Sequence, residues 1–343
     1  MISYIIKRLI LSVITMIAVS IVAFIIMQAP PGDYVDHLHQ THNACSQPTT
    51  RQLLGAVCEV GTPEEREIVR EMLGLDQPMI IQYWNWINPM IFHLDFGFSA
   101  RPGGTFTSAA GLIKEAVPPT VYLILMTILI TWSLAIPIGI YSAARQNSVG
   151  DYVFTFLGFT GLAVPDFLLA LVVMYLLYSN FEYSVGTLHS GTYEMEPWSV
   201  GKVLDMIMHL LIPAAVLGTA GTAALIRIVR NNLLDELTKP YVITAQAKGI
   251  SYWKLIIKYP LRVAINPFIS GIGFILPALI SGSVILSVVM GLPTLGPLML
   301  GSMINQDVWL ASDIILILGG LTVIGTLISD LVLVAVDPRI KLS

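Results

Sequence analysis

Six long apolar stretches leave this chain little choice of environment. A helix needs about 20 mostly apolar residues to cross roughly 30 Å of hydrocarbon. The stretches run from Leu9 to Met27, Thr120 to Ile140, Tyr152 to Tyr178, Met206 to Ile228, Phe268 to Met290 and Asp313 to Val336. Lipid offers no partner to backbone N–H and C=O groups, so each stretch must satisfy its own as a helix. Only 12% of the 343 residues are charged, about half the share of a soluble domain. A disordered chain is excluded, and an ordinary soluble enzyme does not fit. The expected fold is an all-α polytopic membrane protein with six transmembrane helices. Its expected parts are an anchor helix over residues 1–28, an extracytoplasmic region over 29–119, and a five-helix core over 120–343 that carries a cytoplasmic loop at 227–267. The flank Ile6-Lys7-Arg8 suits a signal peptide. The apolar run behind it is too long for one, and Ala29-Pro30-Pro31 is a poor cleavage site, so an uncleaved anchor is expected.

Basic residues set the orientation. With the N-terminus inside, 12 Lys and Arg lie on the cytoplasmic side and 6 outside, five of those six in one long loop. Short loops rich in Lys and Arg stay inside, so both termini are expected in the cytoplasm. A net charge of −4 with dispersed basic residues gives no sign of nucleic-acid binding.

Polar chemistry concentrates in two loops. In the outer one, Thr62-Pro63-Glu64-Glu65 reads as a helix start and Gly74 as its end. Tyr83, Trp84 and Trp86 suit a membrane interface, a partner surface, or the anchoring of a small outer subdomain. Cys45 and Cys58 lie where oxidation is permitted; a disulfide across a loop of about 15 residues contributes around 3 kcal/mol in the loop-entropy picture. His37, His39 and His42 form a short tract that reads as a solvated loop before it reads as a metal site. His189 and His209 stand alone in the sequence and carry no signal.

Within the inner loop, Asp235 to Pro260 reads as two short helices broken by Gly249, which can take a left-handed conformation. Its small residues Thr244, Ala245 and Ala247 permit close approach, and Lys248, Trp253, Lys254, Leu255 and Lys258 follow. By chemistry alone it is a docking element for a partner or an amphipathic segment lying on anionic lipid.

These residues carry a resemblance. Thr244-Ala245-Gln246-Ala247 with Gly249 looks like the EAA loop of ABC importer permeases, loose at the acid and good at Ala245, Ala247 and Gly249. Tyr241-Val242, Ala247-Lys248-Gly249 and Leu261-Arg262 resemble the dipeptide/oligopeptide (and nickel) permeases. So do Pro31-Gly32-Asp33, Gly74-Leu75-Asp76-Gln77-Pro78, Asp95-Phe96-Gly97-Phe98-Ser99, Pro165 with Phe167, and Asp337-Pro338-Arg339-Ile340. The blocks stand in the family's order from end to end, and the B-type subunit is the nearest likeness. The resemblance implies a type I importer permease of the bacterial cytoplasmic (inner) membrane. Its implied partners are a second, C-type permease chain, two ABC ATPase subunits, an extracytoplasmic substrate-binding protein and the lipid bilayer. It implies ATPase coupling through Thr244, Ala245, Ala247, Lys248, Gly249, Trp253 and Leu255. The chain departs from the family with Ser287 where Glu is frequent, and with Ile243 and Gln246 in place of arginines.

No Walker A sequence occurs, since Gly201-Lys202 is followed by Val203. No catalytic residue, metal ligand or cofactor is expected in this chain, and ATP and Mg would be used by the partner ATPases. Asp166 falls about 14 residues into the third stretch, roughly mid-bilayer at 1.5 Å per residue. There it is expected to line a pathway with Pro165 and Ser287, to bond within the helix packing, or to serve a stand-alone secondary transporter as its proton-coupling acid. Pro137, Pro165, Pro213 and Pro277 each interrupt a span and are expected to kink it.

Overall fold

A computed structural model describes residues 2–29, 67, 70, 71, 74–100, 106–182, 185–193, 196, 197 and 199–336. His37, His39, His42, Cys45, Cys58, the helix start at Thr62 and the tail from Asp337 lie outside them. Four of the described helices are long and apolar enough to cross a membrane singly, and the number rises to six when each bent helix pair counts as one span. The described residues fall into two units.

The first unit comprises residues 1–4, 119–292 and 322–343. It holds most of α3 (Ala109–Ala144), then α4 (Val149–Ala163), α5 (Asp166–Phe181) and α6 (Val200–Leu237). Three short helices follow, α7 (Pro240–Ala247), α8 (Tyr252–Lys258) and α9 (Pro260–Ala264), and then α10 (Asn266–Met290). Leu123, Ala170, Leu210, Ala214, Leu217, Leu286 and Met290 make its main core. Small residues let the helices close up. A Cβ on Gly139 would meet Val229 Cβ at 2.8 Å, and one on Gly161 would meet Thr219 Cγ2 at 2.9 Å. Without a hydrophobic drive between helices in lipid, such close backbone approach is what binds them.

The third apolar stretch is not one straight helix. It breaks between Ala163 and Asp166, and the halves α4 and α5 meet at 104°. Pro165 disfavours helical backbone at Val164, which is extended with ψ 123°. Pro165 itself becomes the N-cap of α5. Pro137, Pro213 and Pro277, expected to act alike, lie inside continuous helices.

The second unit comprises residues 5–118 and 293–321. It holds α1 (Ile2–Gln28), α2 (Met79–His93) and a two-stranded antiparallel ribbon of β1 (Phe98–Ala100) and β2 (Phe106–Ser108), the one sheet among the described residues. It also holds the start of α3, α11 (Leu295–Ile304) and the first part of α12 (Val308–Val336). Gly74 ends the preceding helix as expected. Its φ is +67°, and the bonds Gly74 N–H to Glu71 O and Leu75 N–H to Arg70 O close a Schellman cap. Gly319 faces α1, where a Cβ would meet Val19 Cγ1 at 3.1 Å.

The aromatic run anchors this unit. Trp86 stacks on Phe24 with centroids 5.6 Å apart, and Tyr83 meets Phe24 edge-on. Ser20 Oγ lies 2.7 Å from the Tyr83 hydroxyl. Trp86 Nε1 donates to Asp313 Oδ1 at 2.8 Å, while Asp313 Oδ2 is buried with no hydrogen bond among the described residues. Trp84, in contrast, is exposed. Trp86→Phe therefore leaves a buried carboxyl with no bonded oxygen, and should cost about 1–3 kcal/mol. Thermal unfolding of the purified protein in mild detergent should show the drop for Trp86→Phe and none for Trp84→Phe.

Candidate functional site

The segment after α6 folds as expected at Gly249. Its φ is +76°, and nothing lies within 4 Å of where a Cβ would stand. Pro240 opens α7 at its first turn, where the missing N–H costs nothing. Tyr241 donates its hydroxyl to Glu236 Oε2, tying α7 to the end of α6. Burial, reinforced by Glu236, pushes that phenol up to about 12, so it stays neutral.

The predicted coupling residues divide into two sets. Thr244, Ala247, Lys248, Gly249 and Trp253 are exposed. Ala245 and Leu255 are buried with Val242 in a small core inside the loop. The reason is helical spacing, which turns Val242 and Ala245 to one side of α7. Ile256 is fully buried with Ala143, Leu233 and Ala264, fastening α8 to α3 and α6. Burying side chains such as Leu255 and Ile256 contributes about 1.5–3 kcal/mol each. Tyr252 donates to Ala144 O at 3.0 Å, and Asn232 Nδ2 donates to Ala264 O at 3.3 Å. The loop is thus a foot packed on α3 and α6, with a small, partly basic outer face.

At the same end of α6, Asp151 is 2% exposed and receives Arg230 in a two-pronged pair, Nε to Oδ1 and Nη2 to Oδ2, both 2.8 Å. Asn147 N–H adds a bond to Oδ2 at 3.0 Å. The sequence offered a signal for this pair: an arginine on the last turns of one apolar helix and an acid in the first turn of another.

At the other end of α6, two histidines that stand apart in the sequence come together. Asp205 accepts from Ser190 N–H at 2.8 Å and from Ser190 Oγ at 2.9 Å. His189 Nδ1 and His209 Nδ1 each lie 3.6 Å from its carboxylate, and Lys202 Nζ donates to Glu196 O at 2.7 Å. Asp205 and His209 are i and i+4 on α6, a spacing the sequence shows; His189, before α6, joins them only by packing. Burial holds His189 below its ordinary value; Lys202 and His209 add to this and Asp205 opposes it. A lowered folded value means the unfolded chain takes the proton first. The stability from neutral His189 is full above about pH 6.5 and is lost as the pH falls through the folded value. The thermal midpoint should fall between about pH 7 and pH 5, and less in His189→Gln.

Asp166 sits half-buried in the first turn of α5, where the helix dipole favours a negative charge. Its carboxylate has no hydrogen bond or ion pair among the described residues, so the expected packing bond is absent. Ser287 is fully buried near the end of α10, and its hydroxyl also has no partner among the described residues.

Two family descriptions match the chain. Residues 135–342 match "binding-protein-dependent transport system inner membrane component", and residues 1–124 match its N-terminal part. The chain belongs to this family. The oligopeptide transport system permease protein AppB of Bacillus subtilis is 34% identical over 99% of this chain and its own whole length. A putative peptide permease protein of Brucella ovis is 28% identical over the full length of both chains. A probable peptide ABC transporter permease protein of Sinorhizobium fredii is 25% identical over 98% of this chain and 99% of its own.

Membership makes this chain the membrane-embedded permease of a binding-protein-dependent ABC importer. Such a permease works with an ATPase and a substrate-binding protein. A stand-alone secondary transporter built on Asp166 is set aside.

Proposed function

We propose that this permease moves peptides, with both termini in the cytoplasm, as the B-type half of a pathway completed by a different, C-type permease chain. Its full-length likeness to oligopeptide and peptide permeases supports the cargo class. The observation that carries the coupling mechanism is the foot formed by α7, α8 and α9. Its exposed residues Thr244, Ala247, Lys248, Gly249 and Trp253 seat in a groove of one ATPase subunit, and its buried residues transmit the thrust to α3 and α6. ATP closes the ATPase pair, the feet of the two permeases draw together, and the pathway opens to a docked binding protein. ATP and Mg belong to the ATPases, and this chain needs no cofactor. Asp166, at the break between α4 and α5 beside Pro165, is the acid that would meet a peptide's amino end; Ser287, fully buried, lies off the pathway surface.

Affinity purification from membranes in mild detergent, followed by mass spectrometry, tests the assembly. An ATPase pair and a second permease chain are expected with this one. A homo-oligomer carrying no other permease would overturn the heterodimer. Uptake of labelled peptides by vesicles holding the full assembly tests the cargo, and ATP-driven uptake of a non-peptide solute alone would overturn it.

A further inference from the structure

The helices α4 and α6 run antiparallel. Asn147 and Asp151 are level with Arg230, Gly158 is level with Ala223, and Gly161 is level with Thr219. Between them lies a groove of about 230 Å³. One end is polar, lined by Asn147, Asp151, Arg227, Arg230 and Asn231. The other is apolar, with Gly158, Phe159, Leu162 and Ala223. The groove therefore changes from polar to apolar along α6. Its polar end coincides with the end of the apolar stretch Met206–Ile228, where hydrocarbon gives way to headgroups.

The charge at the polar end is uneven. Asp151 is consumed by Arg230. Arg227, one turn away on the same face, is exposed and has no ionic or hydrogen-bond partner among the described residues. Two arginines against one carboxylate leave a single positive charge. The Asp151 pair also fixes the Arg230 guanidinium in one orientation, so the polar end is set before any ligand arrives.

We propose that this groove holds one anionic phospholipid, with its phosphate against Arg227 and Arg230 and an acyl chain along Phe159 and Leu162. One phosphodiester matches the single uncompensated charge, and the direction of the polarity gradient matches a lipid's own. A zwitterionic lipid lacks the net charge, and a free phosphate leaves the apolar end unfilled. Basic residues at an anionic membrane surface each contribute about 1 kcal/mol.

The test uses the assembled transporter in detergent with a mixture of phosphatidylglycerol and phosphatidylcholine, read by native mass spectrometry. One phosphatidylglycerol should be retained at this chain. Arg227→Gln should reduce that retention by about fivefold, the equivalent of about 1 kcal/mol. Arg262→Gln, an exposed arginine outside the groove, should leave it unchanged. Equal loss in both variants means general surface attraction and overturns the proposal, as does equal retention of phosphatidylcholine. Displacement by inorganic phosphate would mark an anion site without a lipid. A photoreactive residue at Thr155, which also lines the groove, should capture lipid; capture of a protein chain would mean that polypeptide covers the groove. Either result overturns the assignment, and both can be read whether or not the cargo is a peptide.

Discussion

Gly249→Asp should leave the permease folded and strip it of its ATPase. A residue with a side chain at φ +76° costs about 1–2 kcal/mol, and Asp is among those that tolerate it best. No atom lies within 4 Å of the new Cβ, so there is no clash. The loop core of Val242, Ala245 and Leu255 is untouched. What changes is the outer face, where a bare backbone between α7 and α8 gains a carboxylate. A groove fitted to glycine must reject it, and the co-purified ATPase should fall at least about tenfold, or 1.4 kcal/mol. The thermal midpoint should move little. Full ATPase capture with normal transport in this variant would defeat the docking account.

The second large effect lies at Asp151. Asp151→Ala removes the acceptor of both Arg230 bonds and of Asn147 N–H. It strands a guanidinium whose side chain is 23% exposed. Breaking a buried pair from one side costs about 3–5 kcal/mol, and partial exposure puts this case at the lower end. Most of that loss is the stranded charge, not the net strength of the pair. The double variant Asp151→Leu with Arg230→Met should therefore recover much of the stability. Thermal unfolding of the purified chains decides it: a double variant as unstable as the sum of the single variants would show no coupling.

The fold was legible wherever one physical signal dominated. Hydrophobic length located α1, α3, α6, α10 and α12, because lipid imposes helix on any such run. Gly74 and Gly249 were legible because a left-handed turn selects glycine. A bend at Pro165 was expected, and the helix does break there; that this proline alone of the four would end its helix was not legible, because four prolines in apolar runs look alike in sequence. The loop's inward and outward residues were missed because a cluster of small side chains says that something approaches, not from which side. Asp151 and Arg230 had a signal in their places at helix ends, though nothing in the sequence pairs those ends; His189 reaches His209 and Asp205 only through packing.

The central claim is that the outer face of the foot seats the ATPase. Site-specific photocrosslinking in the assembled transporter tests it directly. A photoreactive residue at Lys248 or Trp253, both exposed, should join this chain to an ATPase subunit. The same residue at Ile256, which is fully buried, should join it to nothing outside the chain. Crosslinks from Lys248 and Trp253 to lipid alone, in a preparation that retains its ATPase, would contradict the account.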